Sequence, residues 1–168
     1  MIIIIVSVVL SIISSIIAAV IKSRQKSYTT VSMNSVGNVA GTKFKGGCKP
    51  GAFITEISGK KGSKIDQLNF KCSDDDELSY GPYGGKGGNA FGTANKEGLS
   101  TMNVYSSAEQ INAIETNQKF GGDGELSIFT CANGGKINGF HGTSDGKFVS
   151  SLGVTCMTED GVTVDEEV

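Results

Sequence analysis

The sequence predicts one small all-β domain that follows a single hydrophobic helix. Residues 2–21 carry no charge, no proline and no glycine, and they consist of Ile, Val, Leu and Ala with a few Ser. The rest of the chain alternates apolar and polar residues in short runs that glycines interrupt. We therefore divide the chain into a transmembrane anchor (1–22), a linker (23–43), a β domain (44–158) and an acidic tail (159–168).

The apolar run has the length of a membrane span. Twenty helical residues cover about 30 Å, the hydrocarbon thickness of a bilayer. A cleaved signal peptide is the alternative, but no basic residue precedes the run, and it exceeds the usual ~7–15 apolar residues. A buried core helix is disfavoured because the run has no polar face. A single-pass anchor is the interpretation we adopt.

The flanking charge predicts an orientation for that anchor. Lys22, Arg24 and Lys26 follow the run, and no basic residue precedes it. The positive-inside rule then places the C-terminal domain on the cytoplasmic side, or on the interior side of a virion with an internal membrane. The chain also contains no N-x-Ser/Thr sequon, which agrees with this side.

The cysteine pattern leaves two interpretations open. The four cysteines contain no CxxC pair, and a single histidine accompanies them, so a zinc site is disfavoured. We favour the interpretation that the cysteines are buried free thiols over the alternative that they form two disulfides. The cysteines are Cys48, Cys72, Cys131 and Cys156.

Alternating hydrophobicity predicts at least six strands in the domain. Residues 107–115 fit either a helical turn or a strand, and one edge strand is expected around residues 28–33 of the linker. The six strands are Ile54–Ser58, Ile65–Cys72, Leu99–Tyr105, Leu126–Cys131, Lys136–His141 and Phe148–Cys156.

The chain also repeats itself, and the repeat predicts three related sheets. An aromatic residue followed closely by a glycine pair occurs at Phe44/Gly46/Gly47, Tyr83/Gly84/Gly85 and Phe120/Gly121/Gly122. ITEISGKKGSKIDQLNFKC can be aligned with INGFHGTSDGKFVSSLGVTC, so that Gly62 matches Gly146 and Cys72 matches Cys156. Single small sheets expose too much apolar surface to be stable alone, so the three are expected to share one core.

These stretches, together with GPYGGKGG, resemble the jacalin-related lectins over roughly residues 44–157. The resemblance implies a β-prism of three four-stranded Greek-key sheets. It also implies a monosaccharide site, of mannose or galactose type, between a glycine loop and a G-x-x-x-D turn. A carboxylate at the end of that turn can accept charge-assisted hydrogen bonds from neighbouring sugar hydroxyls.

Carried over to this chain, the resemblance implies one complete site and one weaker site. The complete site joins the turn Gly62–Asp66 to the loop that begins at Tyr83. Its expected contacts are Gly62, Ser63, Lys64, Asp66, Tyr83, Gly84 and Gly85. The weaker site has Ser150 where the aspartate would stand, with Asp145 as a possible substitute. Its expected contacts are Gly46, Gly47, Asp145, Gly146, Lys147 and Phe148. A purely structural role for Asp66, in stabilising its turn, is the alternative.

Other chemistry finds little support. The net charge of −2 and the scattered cations argue against a nucleic-acid partner. Residues 74–77 are acidic but lack the spaced ligands of a calcium loop, so a solvated turn is expected. His141 has no nucleophile in a matching motif, so we expect no catalytic residue, no metal and no cofactor.

Two functions follow from the sequence. The first is a membrane-anchored, non-catalytic carbohydrate-binding module whose partner is a glycan. The alternative is a docking subunit of a membrane-associated assembly, such as a virion or an organellar complex, whose prism has lost sugar binding and contacts neighbouring proteins. An enzyme is a distant third.

Overall fold

The computed structural model of the protein describes residues 26–160, which form thirteen β-strands and no helix. The strands are β1 (Tyr28–Ser32), β2 (Val36–Gly37), β3 (Thr42–Gly47), β4 (Ile54–Lys61), β5 (Ile65–Cys72), β6 (Asp75–Gly84), β7 (Asn89–Ala94), β8 (Thr101–Ser106), β9 (Ile111–Glu115), β10 (Lys119–Gly121), β11 (Glu125–Thr130), β12 (Lys136–Ser144) and β13 (Val149–Glu159).

The strands form three antiparallel sheets. Sheet I has the order β1-β13-β12-β3, and the short β2 also pairs with β13, so β1 and β2 are two parts of one interrupted edge. Sheet II has the order β6-β5-β4-β7, and sheet III has the order β10-β9-β8-β11. A hairpin of two consecutive strands lies at the centre of each sheet, which gives the three sheets the same plan.

One hydrophobic core lies between the sheets. Strand β5 buries Leu68, Phe70 and Cys72 at alternate positions, as a strand with one inward face must. The ring of Phe70 from sheet II meets the ring of Phe140 from sheet I edge to face, with 5.4 Å between centroids. Residues of all three sheets belong to a single buried cluster. The sheets therefore form the three walls of a prism, and the all-β prediction is confirmed.

The strand predictions are confirmed as well, since each of the six overlaps a strand of the structure. Residues 107–110 form a bend, and Ile111–Glu115 is the strand β9, so of the two alternatives for this segment the strand is correct.

The predicted linker over residues 23–43 requires correction. Strands β1 and β2 fall inside it and pair with β13, so the prism already includes Tyr28 and does not begin at residue 44. Four of the five β1 residues are exposed, because β1 is an edge strand of sheet I. A Ser- and Thr-rich edge strand has the composition of a linker, and for that reason the sequence predicted a linker here. The edge strand expected around residues 28–33 is present as β1.

The preference for free thiols is wrong, because the four cysteines form two disulfides. Cys48–Cys72 joins the chain after β3 to the end of β5, and Cys131–Cys156 joins the chain after β11 to β13. The first links sheet I to sheet II and the second links sheet III to sheet I. Both lie toward the end of the prism where β5 and β13 finish.

Two predicted segments lie outside the described residues. The first is the helix expected over residues 2–21. The second is the acidic tail, of which only Glu159 and Asp160 are described. Within residues 26–160, no helix has the length and apolar character needed to cross a membrane.

Replacing both cysteines of one disulfide should destabilise the prism. The disulfides close loops of 24 and 25 residues, for which chain-entropy arguments give about 2–4 kcal/mol each. We expect the Cys48→Ala/Cys72→Ala variant to lose that free energy of unfolding in a denaturant titration. Mass spectrometry should find the unreduced wild type two hydrogen masses lighter than the fully reduced protein for each disulfide. A wild type with four free thiols would contradict the assignment.

Candidate functional site

A glycine loop closes over the start of β5 at one end of sheet II. Gly84 has a φ of +105°, and a Cβ at this position would overlap the carbonyl oxygen of Asp66. The next N–H, that of Gly85, donates to the same carbonyl at 2.7 Å. Glycine is required here because only it combines this φ with so close a backbone approach.

The same arrangement recurs in the other two sheets. In sheet I, Gly37 has a positive φ, and the N–H of Asn38 donates to the carbonyl of Ser150 at 2.8 Å. In sheet III, Gly121 has a positive φ, and the N–H of Gly122 donates to the carbonyl of Asn112 at 3.1 Å. Three equivalent positions therefore carry an aspartate, a serine and an asparagine. Asp66 is the one with a carboxylate.

Asp66 and the loop Gly84–Gly88, together with the turn that begins at Gly62, form what we call the Asp66 site. Asp66 as a whole residue is 8% exposed. A Cβ at Gly87 would lie 2.7 Å from its Oδ1, and one at Gly88 would lie 2.6 Å from its Oδ2. Glycines thus enclose the carboxylate on the loop side. The structure brings together the turn and the loop that the sequence paired.

Side chains of the sheet hold this loop in place. Gln67 donates from Nε2 to the carbonyl of Gly85 at 2.8 Å, and Lys60 donates from Nζ to the carbonyl of Lys86 at 2.9 Å. The carboxylate of Asp66 takes no part in this support, since no hydrogen bond among residues 26–160 ends on it. The backbone N–H groups of Ser63 and Lys64 likewise donate to no acceptor in the described part of the chain. The site thus holds free acceptors and free donors side by side.

Tyr83 does not face this site as the sequence suggested. Its ring stacks on Phe44 of β3, with 4.5 Å between centroids, and lies near Phe70 of the core. A Cβ at Gly46 would overlap its hydroxyl oxygen. Burial raises the pKa of the Tyr83 hydroxyl above its usual value. Tyr83 is therefore a packing residue between sheets I and II.

The structure places the two halves of the weaker predicted site far apart. Gly46 pairs with Phe140 in the register of β3 and β12, and Gly47 pairs with Gly139. Phe140 precedes Asp145 by five residues, a separation of about 16 Å along a strand. The glycine pair therefore lies far from the hairpin tip Asp145–Phe148, and its predicted role as partner loop is wrong.

The loop that does face this hairpin is the one sequence reasoning missed. It runs from Gly37 to Gly41, where a Cβ at Gly41 would lie 2.5 Å from the carbonyl oxygen of Ser144. One signal could have found it, namely spacing. Gly37 precedes Phe44 by seven residues, as Gly84 precedes Phe91. The loop escaped notice because Val36 and Asn38 replace the aromatic residue and the second glycine of the repeat.

Asp145 has a structural task in the last hairpin. Its Oδ1 accepts hydrogen bonds from the N–H groups of Lys147 and Phe148, both at 2.7 Å. The donation from Phe148 is the main reason that the pKa of Asp145 lies below its usual value. Ser150, at the position equivalent to Asp66, is buried. This hairpin therefore offers no free carboxylate at the equivalent position.

The loops of neighbouring sheets also contact one another. A Cβ at Gly85 would overlap the carbonyl oxygen of Lys147 in sheet I, and one at Gly122 would lie 2.6 Å from the carbonyl oxygen of Ser63 in sheet II. The Nζ of Lys64 lies 5.0 Å from the ring centroid of Phe148, a cation–π distance. The hairpin tips of sheets I and II thus pack on the glycine loops of sheets II and III.

The described residues contain no group of three His, Cys, Asp or Glu side chains that could hold a metal. In the acidic stretch 74–77, Asp75 accepts hydrogen bonds from the N–H groups of Glu77 and Leu78, and Asp74 forms an ion pair with Lys49 at 3.3 Å. Asp74 ends the turn before β6, and Asp75 begins the strand, so the predicted turn covers only the first residue of the stretch.

Comparison with known proteins shows the fold. The chain is similar to a mannose-binding jacalin-related lectin from Ananas comosus, AcmJRL, with a TM-score of 0.63 and 21% identity over 76% of this chain and 96% of that one. Malaysian banana lectin gives a TM-score of 0.59 at 21% identity, over 76% and 98%. An artocarpin–mannotriose complex gives 0.61 at 20% identity, over 77% and 98%. No protein-family model and no curated protein matches the sequence. At this level of identity the likeness establishes the β-prism of the jacalin-related lectins as the fold.

Substituting Gly84 should cost stability, whereas substituting Gly92 should not. Gly84→Ala forces a side chain into positive φ and into the Asp66 carbonyl, a strain of about 1–3 kcal/mol. At Gly92, an exposed strand position, an added Cβ meets nothing closer than 3.8 Å. We expect denaturant titration to find Gly92→Ala within about 0.5 kcal/mol of the wild type. Equal stability of the two variants would contradict the close approach at Gly84.

Proposed function

We propose that this protein is a non-catalytic carbohydrate-binding module whose Asp66 site takes a mannose-type monosaccharide of a glycan. One observation carries the proposal: Asp66 lies beneath the glycine loop with 8% of its surface exposed, and no hydrogen bond within residues 26–160 ends on its carboxylate. A carboxylate that the fold positions but does not itself use is a strong candidate for a ligand contact.

The contrast with Asp145 answers the structural alternative. Both aspartates stand near hairpin tips, but Asp145 accepts two turn hydrogen bonds while Asp66 accepts none from residues 26–160. A turn-stabilising aspartate is expected to look like Asp145. Asp66 lacks that pattern, so turn stabilisation does not explain it.

The chemistry of the Asp66 site suits adjacent sugar hydroxyls. A carboxylate can accept two charge-assisted hydrogen bonds, one at each oxygen. The free N–H groups of Ser63 and Lys64 can donate to the hydroxyl oxygens from the other side. The glycines of the loop let a ring approach the main chain closely. No step of bond making or breaking is needed.

Two named neighbours in structure support the choice of sugar. AcmJRL is described as mannose-binding, and artocarpin is known in complex with mannotriose. We extend mannose-type recognition to this chain because the Asp66 site keeps both a complete G-x-x-x-D turn and a glycine loop. Galactose is the second monosaccharide to be tried.

We further propose that residues 2–21 anchor the module in a membrane and that the prism faces an oxidising compartment. The anchor rests on the uncharged apolar run. The side rests on the two disulfides, since cytosolic thiols are kept reduced. This replaces the cytoplasmic side that the basic flank predicts, because that rule describes a bias with exceptions. Glycans are plentiful on the oxidising side, which fits a sugar-binding role.

Asp66→Asn should weaken mannose binding strongly without unfolding the protein. The amide keeps the shape of the side chain but loses the charge and one acceptor, so two charge-assisted bonds weaken and affinity should fall about a hundredfold. Calorimetric titration with methyl α-mannoside measures this, and thermal unfolding of each variant checks the fold. Asp145→Asn is the matched control and should bind within about twofold of the wild type.

Two outcomes would count against the Asp66 site. Undiminished binding by Asp66→Asn would remove this residue from the site, and loss of binding in Asp145→Asn would move the site to the last hairpin. If the wild type binds neither mannose nor galactose, the docking role becomes the better account.

The proposed side can be tested on the full chain in sealed membrane vesicles. We expect the prism to be protected from added protease in vesicles whose lumen is the oxidising compartment, and digested once detergent opens them. Digestion of the prism in intact vesicles would place it on the cytoplasmic side and contradict the proposal.

A further inference from the structure

A second cleft, on the outer face of sheet I, is lined by cations and hydroxyl groups and by no carboxylate. It has a volume of about 640 Å³ and is open to solvent. Its walls are the segment after β1 on one side and β3 on the other. The residues that define this lysine cleft are Ser32, Ser35, Val39, Lys43, Phe44, Lys45, His141, Gly142, Thr143 and Ser151.

Lys43 and Lys45 give the cleft its charge. They occupy alternate positions of β3, so both project from the same face, about 7 Å apart. Both are exposed, and neither forms an ion pair within residues 26–160. Four other lysines of the same region do pair with carboxylates: Lys26, Lys49, Lys71 and Lys119. The cleft thus concentrates positive charge on a chain whose net charge is −2.

The floor of the cleft is rigid and polar. Thr143 bonds through Oγ1 to the carbonyl of Asn38 at 2.7 Å and to the hydroxyl of Ser151 at 2.8 Å. His141 stands opposite Lys45 in the register and lies over Gly153, where a Cβ would be 2.5 Å from its Nε2. Burial lowers the pKa of His141, so the imidazole is neutral at neutral pH and the lysines carry the charge.

The lysine cleft adjoins a smaller cleft that extends to the first glycine of the Asp66 site. The smaller cleft, of about 270 Å³, shares Lys43 and Phe44 with it and extends to Gly84. Gly84 begins the loop whose later members, Gly87 and Gly88, lie beside the Asp66 carboxylate. An elongated ligand with one end at the glycine loop can therefore pass Lys43 and enter the lysine cleft. Two clefts that share Lys43 and Phe44 favour a polymer over a small anion as the ligand.

We propose that the lysine cleft binds the anionic groups, sulfate or carboxylate, of an acidic polysaccharide that has another of its sugar units in the Asp66 site. The inference rests on the proposed function and names the class of glycan. Lys43 and Lys45 contact the anionic group, and the hydroxyl-lined floor contacts the sugar. Exposed ion pairs of this kind contribute modestly, so the cleft selects among glycans that the Asp66 site already holds.

The test compares charged and neutral polysaccharides on the full chain in detergent. The probes are sulfated and unsulfated mannan oligosaccharides of matched length, with oligomannuronate as the carboxylate arm. We expect the wild type to bind at least one charged probe about tenfold more tightly than the neutral one, and to lose that advantage as salt is raised. The charged probe that gains affinity identifies the anionic group.

Paired variants separate this inference from the proposed function. Lys43→Gln/Lys45→Gln should bind charged and neutral probes alike and should keep the affinity of the wild type for methyl α-mannoside. Lys96→Gln/Lys136→Gln removes the same charge elsewhere and should keep the preference. Asp66→Asn should lose methyl α-mannoside, which reports on the proposed function alone. The resonances of His141, the single histidine of the chain, should shift when the charged probe binds.

Three results would overturn the inference. The first is equal binding of charged and neutral probes by the wild type. The second is an unchanged preference of Lys43→Gln/Lys45→Gln for the charged probe. These lysines would then serve only to prevent the edge strand β3 from pairing with another chain. The third is binding of a DNA oligonucleotide as tightly as the charged probe, which would indicate unspecific charge attraction.

Discussion

The approach of a glycine to the main chain of the strand opposite is the contact on which the functional end of this prism depends. At Gly84 no side chain fits between the loop and the carbonyl of Asp66. The same contact occurs at Gly37 and at Gly121, once in each sheet. It fixes where each loop begins and how it curves over the neighbouring strand. Contacts between main-chain atoms therefore set the geometry of the site. The side chain beneath each glycine decides whether the loop can bind a ligand.

That division explains why three similar loops differ in what they offer. The residue under the glycine is Asp66 in one sheet, Ser150 in another and Asn112 in the third. Asn112 turns its amide toward the loop, where Nδ2 donates to the carbonyl of Asp123 at 2.6 Å. Ser150 is buried. Only the Asp66 position combines the shared loop with a carboxylate that the described fold does not use.

Much of the architecture follows from the sequence, because strand alternation and glycine punctuation are local signals. The Asp66 site was predictable for the same reason, since the turn Gly62–Asp66 and the loop after Tyr83 are both intact. What failed depended on distances between sheets. The pairing of Cys48 with Cys72 requires knowing that β3 and β5 end near each other, and the burial of Tyr83 requires knowing that Phe44 lies opposite. The loop at Gly37 was missed because its flanking residues depart from the repeat.

The two ends of the prism have different tasks. The disulfides link the three sheets toward the end where β5 and β13 finish, while the glycine loops gather where those strands begin. The end opposite the disulfides carries the Asp66 carboxylate, on which no hydrogen bond within residues 26–160 ends. The disulfides also bear on which side of a membrane an anchored prism would face. The basic flank predicts the cytoplasmic side, whereas the disulfides favour an oxidising compartment.

The most direct measurement is a crystal structure of the protein soaked with methyl α-mannoside. We predict one sugar at the turn Gly62–Asp66, with two adjacent hydroxyls donating to the carboxylate of Asp66 and with the N–H groups of Ser63 and Lys64 donating to sugar oxygens. A sugar bound at the last hairpin instead, or an Asp66 carboxylate that remains without a ligand at saturating sugar, would contradict this account.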